Sequence, residues 1–141
     1  MVHKMKSKRT AYCSIFFSLL LLSSCSSDVD ITINKEYDFT IRMQKYRTEI
    51  KTGETKELEF FIDKAGDYEG TNYYVSVFLR TGEGEITDGK KRLEENVYYE
   101  VPSNGFKLFY RSLSADSHRI EILVKNSFGK EEETIVTLSN K

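Results

Sequence analysis

Apolar residues over most of this chain recur at every second position, and that spacing limits the fold more than any other feature. Phe39, Ile41 and Met43 alternate with polar residues. Leu58, Phe60 and Ile62 form a second set, Tyr73, Val75, Val77 and Leu79 a third, and Val97, Tyr99 and Val101 a fourth. Phe106, Leu108 and Tyr110 follow. Ile120, Ile122 and Val124 then alternate with Arg119, Glu121 and Lys125, and Thr134, Val136 and Leu138 close the chain. Successive side chains of a strand point to opposite faces, whereas an amphipathic helix repeats at about 3.6 residues. Each run therefore predicts a strand with one apolar face. Between the runs lie turn residues: Lys51-Thr52-Gly53-Glu54, glycine-rich polar loops over 63–72 and 81–91, and Asn126-Ser127-Phe128-Gly129 as a hairpin turn. Pro102, the single proline, ends the fourth run, because proline has no N–H to give to a ladder. A short helical turn fits residues 90–96. Seven or so short strands predict an all-β fold, a single immunoglobulin-like antiparallel β-sandwich. The chain has no Trp, so the Cys–Trp–Cys core of antibody domains is absent.

The first residues have another character. Lys4, Lys6, Lys8 and Arg9 precede an apolar stretch over 11–22, and no acidic residue occurs before Asp28. A membrane-spanning helix needs about 20 apolar residues, so the stretch is too short to span. A basic start, a short apolar middle and small residues after it describe a secretory signal. The ending Leu22-Ser23-Ser24-Cys25 fits the bacterial lipobox, where small residues admit the peptidase and the thiol forms a thioether to diacylglycerol. The expected organisation is a lipoprotein signal peptide over 1–24, a lipid-anchored tether over 25–37 and an immunoglobulin-like β-sandwich domain over 38–141. The tether allows up to roughly 40 Å between domain and lipid. Cys13 leaves with the signal and Cys25 is acylated, so no intrachain disulfide is expected and stability rests on the core. The expected location is the bacterial envelope, at the outer membrane, on its periplasmic or surface side. Asp28 and Asp30 behind the anchor fit an outer-leaflet sorting signal and a solvated tether equally.

Charge and chemistry exclude several classes. The chain carries 21 basic and 22 acidic residues; removing Lys4, Lys6, Lys8 and Arg9 with the signal leaves 17 against 22, a net of about −5. That is no footprint for nucleic acid. After the signal the chain retains one histidine, His118. Its parity with Ile120, Ile122 and Val124 puts it at the inward end of a strand, as a satisfied histidine rather than a catalytic one. One His without a free Cys builds no ordinary structural zinc site. Asp63, Asp67, Glu83, Glu85 and Asp88 sit on loops but lack the dense spacing of dedicated calcium sites. Gly82-Glu83-Gly84-Glu85 lacks the helix and lysine of a phosphate loop. No enzyme activity, metal, cofactor or small-molecule substrate is expected. One feature stands above this background: Tyr74 and Phe78 share parity with Ser76 and Arg80, so they face outward. If their strand pairs with the one from His118 to Lys125, Leu123 joins them, and Ile135 on the last strand also. Tyr74, Phe78, Leu123 and Ile135 form the candidate partner-binding face; the competing arrangement has the 81–104 segment or a strand bulge covering it.

Tyr37-Asp38-Phe39-Thr40-Ile41, residues 50–84 and residues 106–129 resemble the TraQ lipoproteins of Bacteroides-type conjugative transposons. The markers are the Lys51 to Glu54 turn, Tyr73-Tyr74, Gly82-x-Gly84, the run from Phe106 to Tyr110, and Asn126-x-Phe128-Gly129. The resemblance implies a small β-sandwich encoded among conjugal-transfer genes, with proteins of the conjugation apparatus as partners. It implies no catalytic or ligand residues, and Cys25 alone carries over. Where family members carry prolines, this chain has Gln44-Lys45-Tyr46-Arg47 and Arg80-Thr81, which bears on loop conformation rather than on fold. The expected function is a lipid-anchored, non-enzymatic accessory protein of a conjugative transfer apparatus, acting as a tethered protein-binding module. The alternative is a surface glycan-binding lipoprotein, since exposed Tyr and Phe can stack on sugars.

Overall fold

Seven of the strands found in the computed structural model, which describes residues 37–141, follow the seven apolar runs. Cys25, the signal and the tether up to residue 36 lie outside the described residues. The strands are β1 (Phe39–Met43), β2 (Glu49–Ile50), β3 (Thr55–Lys64), β4 (Tyr73–Thr81), β5 (Gly84–Thr87), β6 (Tyr99–Val101), β7 (Gly105–Ser112), β8 (His118–Asn126) and β9 (Glu131–Asn140). One sheet has the order β1-β3-β7-β5 and the other β2-β9-β8-β4-β6. With β1, β3, β4, β5, β7, β8 and β9 taken as strands A to G, these are the A-B-E-D and G-F-C sheets of an immunoglobulin-type sandwich.

The alternating residues meet where parity puts them. Leu58 pairs with Leu108 and Phe60 with Phe106 in the first sheet, and the two phenyl rings stack with centroids 5.0 Å apart. Val75 pairs with Val124 and Val77 with Ile122 in the second, and Ile120 pairs with Val136. All are buried, with Phe39, Ile62, Tyr73, Tyr110 and Leu138. Burying a side chain of this size contributes about 1.5–3 kcal/mol. Both short turns form as expected: Glu54 N–H donates to the Lys51 carbonyl at 2.9 Å, and Gly129 N–H to the Asn126 carbonyl at 3.1 Å.

Two short strands have no counterpart among the apolar runs. β5 lies within the 81–91 stretch, where only Ile86 points inward; four residues are too few for alternation to show. It follows β4 after Gly82 and Glu83 but pairs with β7, so the chain changes sheets at that point. β2 is two residues long and pairs parallel to β9, which makes the second sheet mixed rather than purely antiparallel. Its Ile50 is fully buried.

The stretch that fits a helical turn, 90–96, is not helical. The Asp88 carboxylate accepts the N–H groups of Lys90 and Lys91 at 2.8 and 2.9 Å, Arg92 bridges to Thr87, and Leu93 is buried with its N–H on the Ile86 carbonyl at 2.8 Å. Val97, expected to face inward, is 39% exposed. The cause is Asn96, whose φ of 61° turns the chain while its N–H bonds the Val77 carbonyl at 3.3 Å. The inward phase starts only at Tyr99. Tyr37, taken as the last tether residue, is packed against the sandwich through its ring contacts with Tyr68 and Phe128.

Tyr73 and Ser76 bury hydroxyls that meet no hydrogen-bond partner among the described residues. Such a group costs about 1–3 kcal/mol. Tyr73→Phe should therefore hold or raise the melting temperature, whereas Leu58→Ala should cost about 2–5 kcal/mol; thermal unfolding followed by circular dichroism checks both.

Candidate functional site

The pairing of β6, β4, β8 and β9 decides what the candidate face looks like. Tyr74 lies opposite Lys125 on one side and Glu100 on the other. Ser76 lies opposite Leu123, and Leu123 opposite Glu133. Phe78 lies opposite Glu121, and Glu121 opposite Ile135. Tyr74, Phe78, Leu123 and Ile135 thus share one face, but they do not form an unbroken apolar patch, because Glu121 stands between Phe78 and Ile135. Ile135 is 37% exposed, and the other three are half-buried.

Ser76 explains the half-burial. It points outward by parity yet is wholly buried. Continuing the β4–β6 register places Tyr98 opposite Ser76, and the Lys125 ammonium lies 3.5 Å from the Tyr98 ring centroid. Part of the 81–104 segment therefore covers the β4 side of the face, while Ile135 on β9 stays open. Parity alone puts Tyr98 outward; its lateral return over β4 depends on the Asn96 turn.

A charged pair divides the face. A bulge between Leu79 and Thr81 shifts the β4–β8 register and leaves Arg80 outside the ladder. Its guanidinium donates to both Glu121 oxygens, Nε to Oε2 at 2.7 Å and Nη2 to Oε1 at 2.8 Å, and lies 5.0 Å from the Phe78 ring centroid. This bidentate bond holds the Glu121 carboxyl below its ordinary value, with partial burial working the other way. A carboxyl lowered by folding adds stability above the ordinary carboxylate range, and that stability is lost as pH falls through the folded value.

His118 is placed as parity predicts, fully buried at the start of β8. The Tyr110 hydroxyl lies 2.7 Å from Nδ1 and the Ser112 hydroxyl 3.0 Å from Nε2. Ser112 donates to the Ser114 carbonyl at 2.9 Å, so its oxygen accepts from Nε2–H, and the Tyr110 hydroxyl, besides meeting Nδ1, reaches the Glu83 carbonyl at 3.3 Å. Burial pushes the Tyr110 hydroxyl up to about 12, so it keeps its proton at neutral pH. The order Ser–His–Tyr is that of a nucleophile, a base and an orienting group, but Ser112 and His118 are both wholly enclosed and the trio as built admits no substrate. It acts as a pin. Glu83 ties the β4–β5 crossover to it, accepting the Leu113 N–H at 2.8 Å and donating its own N–H to Ser114 Oγ at 3.1 Å. Gly82, at φ +77°, and Gly84 leave the room this needs: a Cβ on either would collide with the ring of His118 or Tyr110.

Of the acids expected on loops, Asp63 falls in β3 and Glu85 in β5, and three are paired singly. Asp63 pairs with Arg42 at 3.1 Å, Asp67 with Lys64 at 3.8 Å and Glu85 with Arg92 at 3.2 Å. Among the described residues no three His, Cys, Asp or Glu side chains gather as a metal site. Two open cavities, of about 350 and 280 Å³, flank Leu93 where the 88–98 crossover closes the side of the sandwich.

The fold defines a small two-sheet β-sandwich, with Tyr110, Ser112 and His118 hydrogen-bonded to one another in its interior. A family model described as the TraQ conjugal transfer protein matches residues 8–141, a span that includes Cys25. The chain belongs to that family. A crystal structure of a conjugative transposon lipoprotein from Bacteroides eggerthii superposes with a TM-score of 0.68 at 26% identity, covering 74% of this chain and 99% of the other. The solution structure of a lipoprotein from Bacteroides thetaiotaomicron gives 0.66 at 28% identity, over 82% and 88% of the two chains. That of a conjugate transposon protein from Bacteroides vulgatus gives 0.65 at 25%, over 80% and 93%. No curated protein sequence is significantly similar to this chain.

Two outcomes test this description. In an NMR titration Glu121 should ionise with a midpoint below 4.5, its ordinary value, and Arg80→Gln should move that midpoint upward. Gly82→Ala should destabilise the fold by at least about 2 kcal/mol in urea unfolding, from a strained backbone plus a displaced His118.

Proposed function

We propose that the chain is a lipid-anchored, non-enzymatic accessory protein of a conjugative transfer apparatus, working as a tethered protein-binding module on the outer membrane. The observation that carries this reading is the family match over residues 8–141, a range that includes Cys25. The neighbour from B. eggerthii, named a conjugative transposon lipoprotein, supports the anchor and the setting. The exposed side of the β8–β9 face, with Ile135 and Leu123 beside the Arg80–Glu121 pair, supports protein binding: it offers apolar area and a fixed charge pattern together. Tethering raises the local concentration of a module that binds weakly.

The test is conjugation frequency in donor cells lacking the gene, complemented with wild type or with Cys25→Ala. A fall rescued by wild type alone supports an anchored role in transfer. An unchanged frequency in the deletion sinks the proposal and turns attention to surface glycan binding. In the same strains, Ile135→Ala on the open side of the face should weaken capture of transfer proteins with little change in melting temperature. A large drop in melting temperature would assign Ile135 to the core.

A further inference from the structure

The end of the sandwich where the N-terminal segment joins carries three aromatic side chains outside the candidate face. Tyr37 packs its ring against Tyr68 of the β3–β4 loop, centroids 4.1 Å apart, and edge-on against Phe128 of the β8–β9 turn, centroids 4.2 Å apart. Asn126 fixes this group. Its amide nitrogen donates to the Tyr37 carbonyl at 2.8 Å, and its side-chain oxygen accepts the N–H groups of Phe128 and Lys130, each at 3.0 Å. The two loops are also locked to each other: Ser127 N–H donates to the Asn72 carbonyl at 2.9 Å, and Asn72 N–H to Ser127 Oγ at 3.2 Å. Within this rigid frame Phe128 is still 45% exposed. A hairpin tip does not need a phenyl ring, because Gly129 at φ +90° supplies the turn. The nearby lysines are already matched, Lys130 with Asp38 and Glu132 and Lys64 with Asp67, so this end offers aromatic surface rather than a positive field.

We propose that this aromatic end rests on the bilayer to which the chain is anchored, with Phe128 entering the headgroup region and Tyr37 and Tyr68 beside it. The inference rests on the anchoring of Cys25 proposed above. Eleven residues, 26–36, separate Cys25 from Tyr37. Eleven residues reach at most about 40 Å even when fully extended, so the membrane meets this end of the domain before any other. At such short range the effective concentration is about millimolar, and a weak partition of aromatic side chains into the interface is enough to hold the contact. Rings of this type favour the headgroup level, Tyr with its hydroxyl toward water. The strands that start or finish here, β4, β8 and β9, run nine or ten residues. They therefore carry the Gly82–Gly84 crossover about 30 Å further from the bilayer and stand the β8–β9 face upright, open to partners alongside.

The test uses residues 25–141, which include every described strand, with the Cys25 thiol coupled to a maleimide lipid in vesicles of phosphatidylethanolamine and phosphatidylglycerol. Chemical coupling anchors the protein whether or not the cell acylates Cys25; metabolic labelling of the wild type and Cys25→Ala with palmitate tests that separately. The chain has no Trp, so Phe128→Trp is a single reporter and Ile135→Trp a control on the sheet face, each used after its melt matches wild type. Phe128→Trp should shift to the blue on tethering and lose most of its emission to lipids brominated along the acyl chain, while Ile135→Trp keeps its emission. The proposal is overturned if Phe128→Trp is not quenched. It is equally overturned if both reporters are quenched alike, which means the domain lies flat, or if the blue shift appears without vesicles and grows with protein concentration, which means the rings pair two copies.

Discussion

Residues 37–141 contain no cysteine, so no disulfide joins the two sheets there and everything else depends on the inward rows of side chains that fill the space between them. Antibody domains place an inter-sheet disulfide between strands B and F. Here Leu58 and Phe60 on β3 and Ile120 and Ile122 on β8 occupy those strands, all fully buried. A core made only of dispersion and apolar burial is unforgiving of phase. One residue of slip in a strand carries its whole apolar row to the outside. The molecule guards that phase with polar fasteners at the ends of strands: Asn126 at the end of β8, and Tyr110, Ser112 and His118 where β7 gives way to β8.

The His118 pin and the Gly82–Gly84 crossover form one device. The crossover carries the chain from one sheet to the other, so β4 and β5 act almost as a single strand serving both. Its backbone is set against the buried rings of His118 and Tyr110, and the missing side chains of Gly82 and Gly84 allow the approach. The buried polar trio thus fixes the corner at which the sheets are joined through the chain itself. A wholly apolar corner of the same volume would take the Tyr110 hydroxyl from the Glu83 carbonyl and the Ser112 hydroxyl from the Ser114 carbonyl.

How much of this was legible in the sequence follows from the range of each interaction. Period-two alternation is local, and it located Leu58 to Ile62, Tyr73 to Leu79 and Ile120 to Val124 on the correct faces. It also put Tyr74, Phe78, Leu123 and Ile135 on one surface. β2 and β5 escaped because two and four residues hold too little pattern, and each exists only through a partner far along the chain. The cover over Ser76 depends on one backbone angle at Asn96, which no side-chain periodicity reports. The Arg80–Glu121 bond needed the bulge between Leu79 and Thr81. The aromatic group of Tyr37, Tyr68 and Phe128 unites a strand entry, a loop and a turn whose proximity is a product of topology alone.

The parallel pairing of β2 with β9 has a mechanical consequence. Backbone N–H groups near the end of the last strand tie it to the incoming chain: Thr137 N–H to the Tyr46 hydroxyl at 3.3 Å, Ser139 N–H to the Thr48 carbonyl at 2.7 Å, and Lys141 N–H to the Ile50 carbonyl at 3.2 Å. Tension applied between the N-terminal side of β2 and the C-terminal side of β9 runs along both strands in opposite senses. It loads these ties side by side, in shear, instead of peeling them open one after another as it would a hairpin. A domain held at its N-terminal side and pulled at the far end of β9 would therefore resist with several bonds at once, as a brace does.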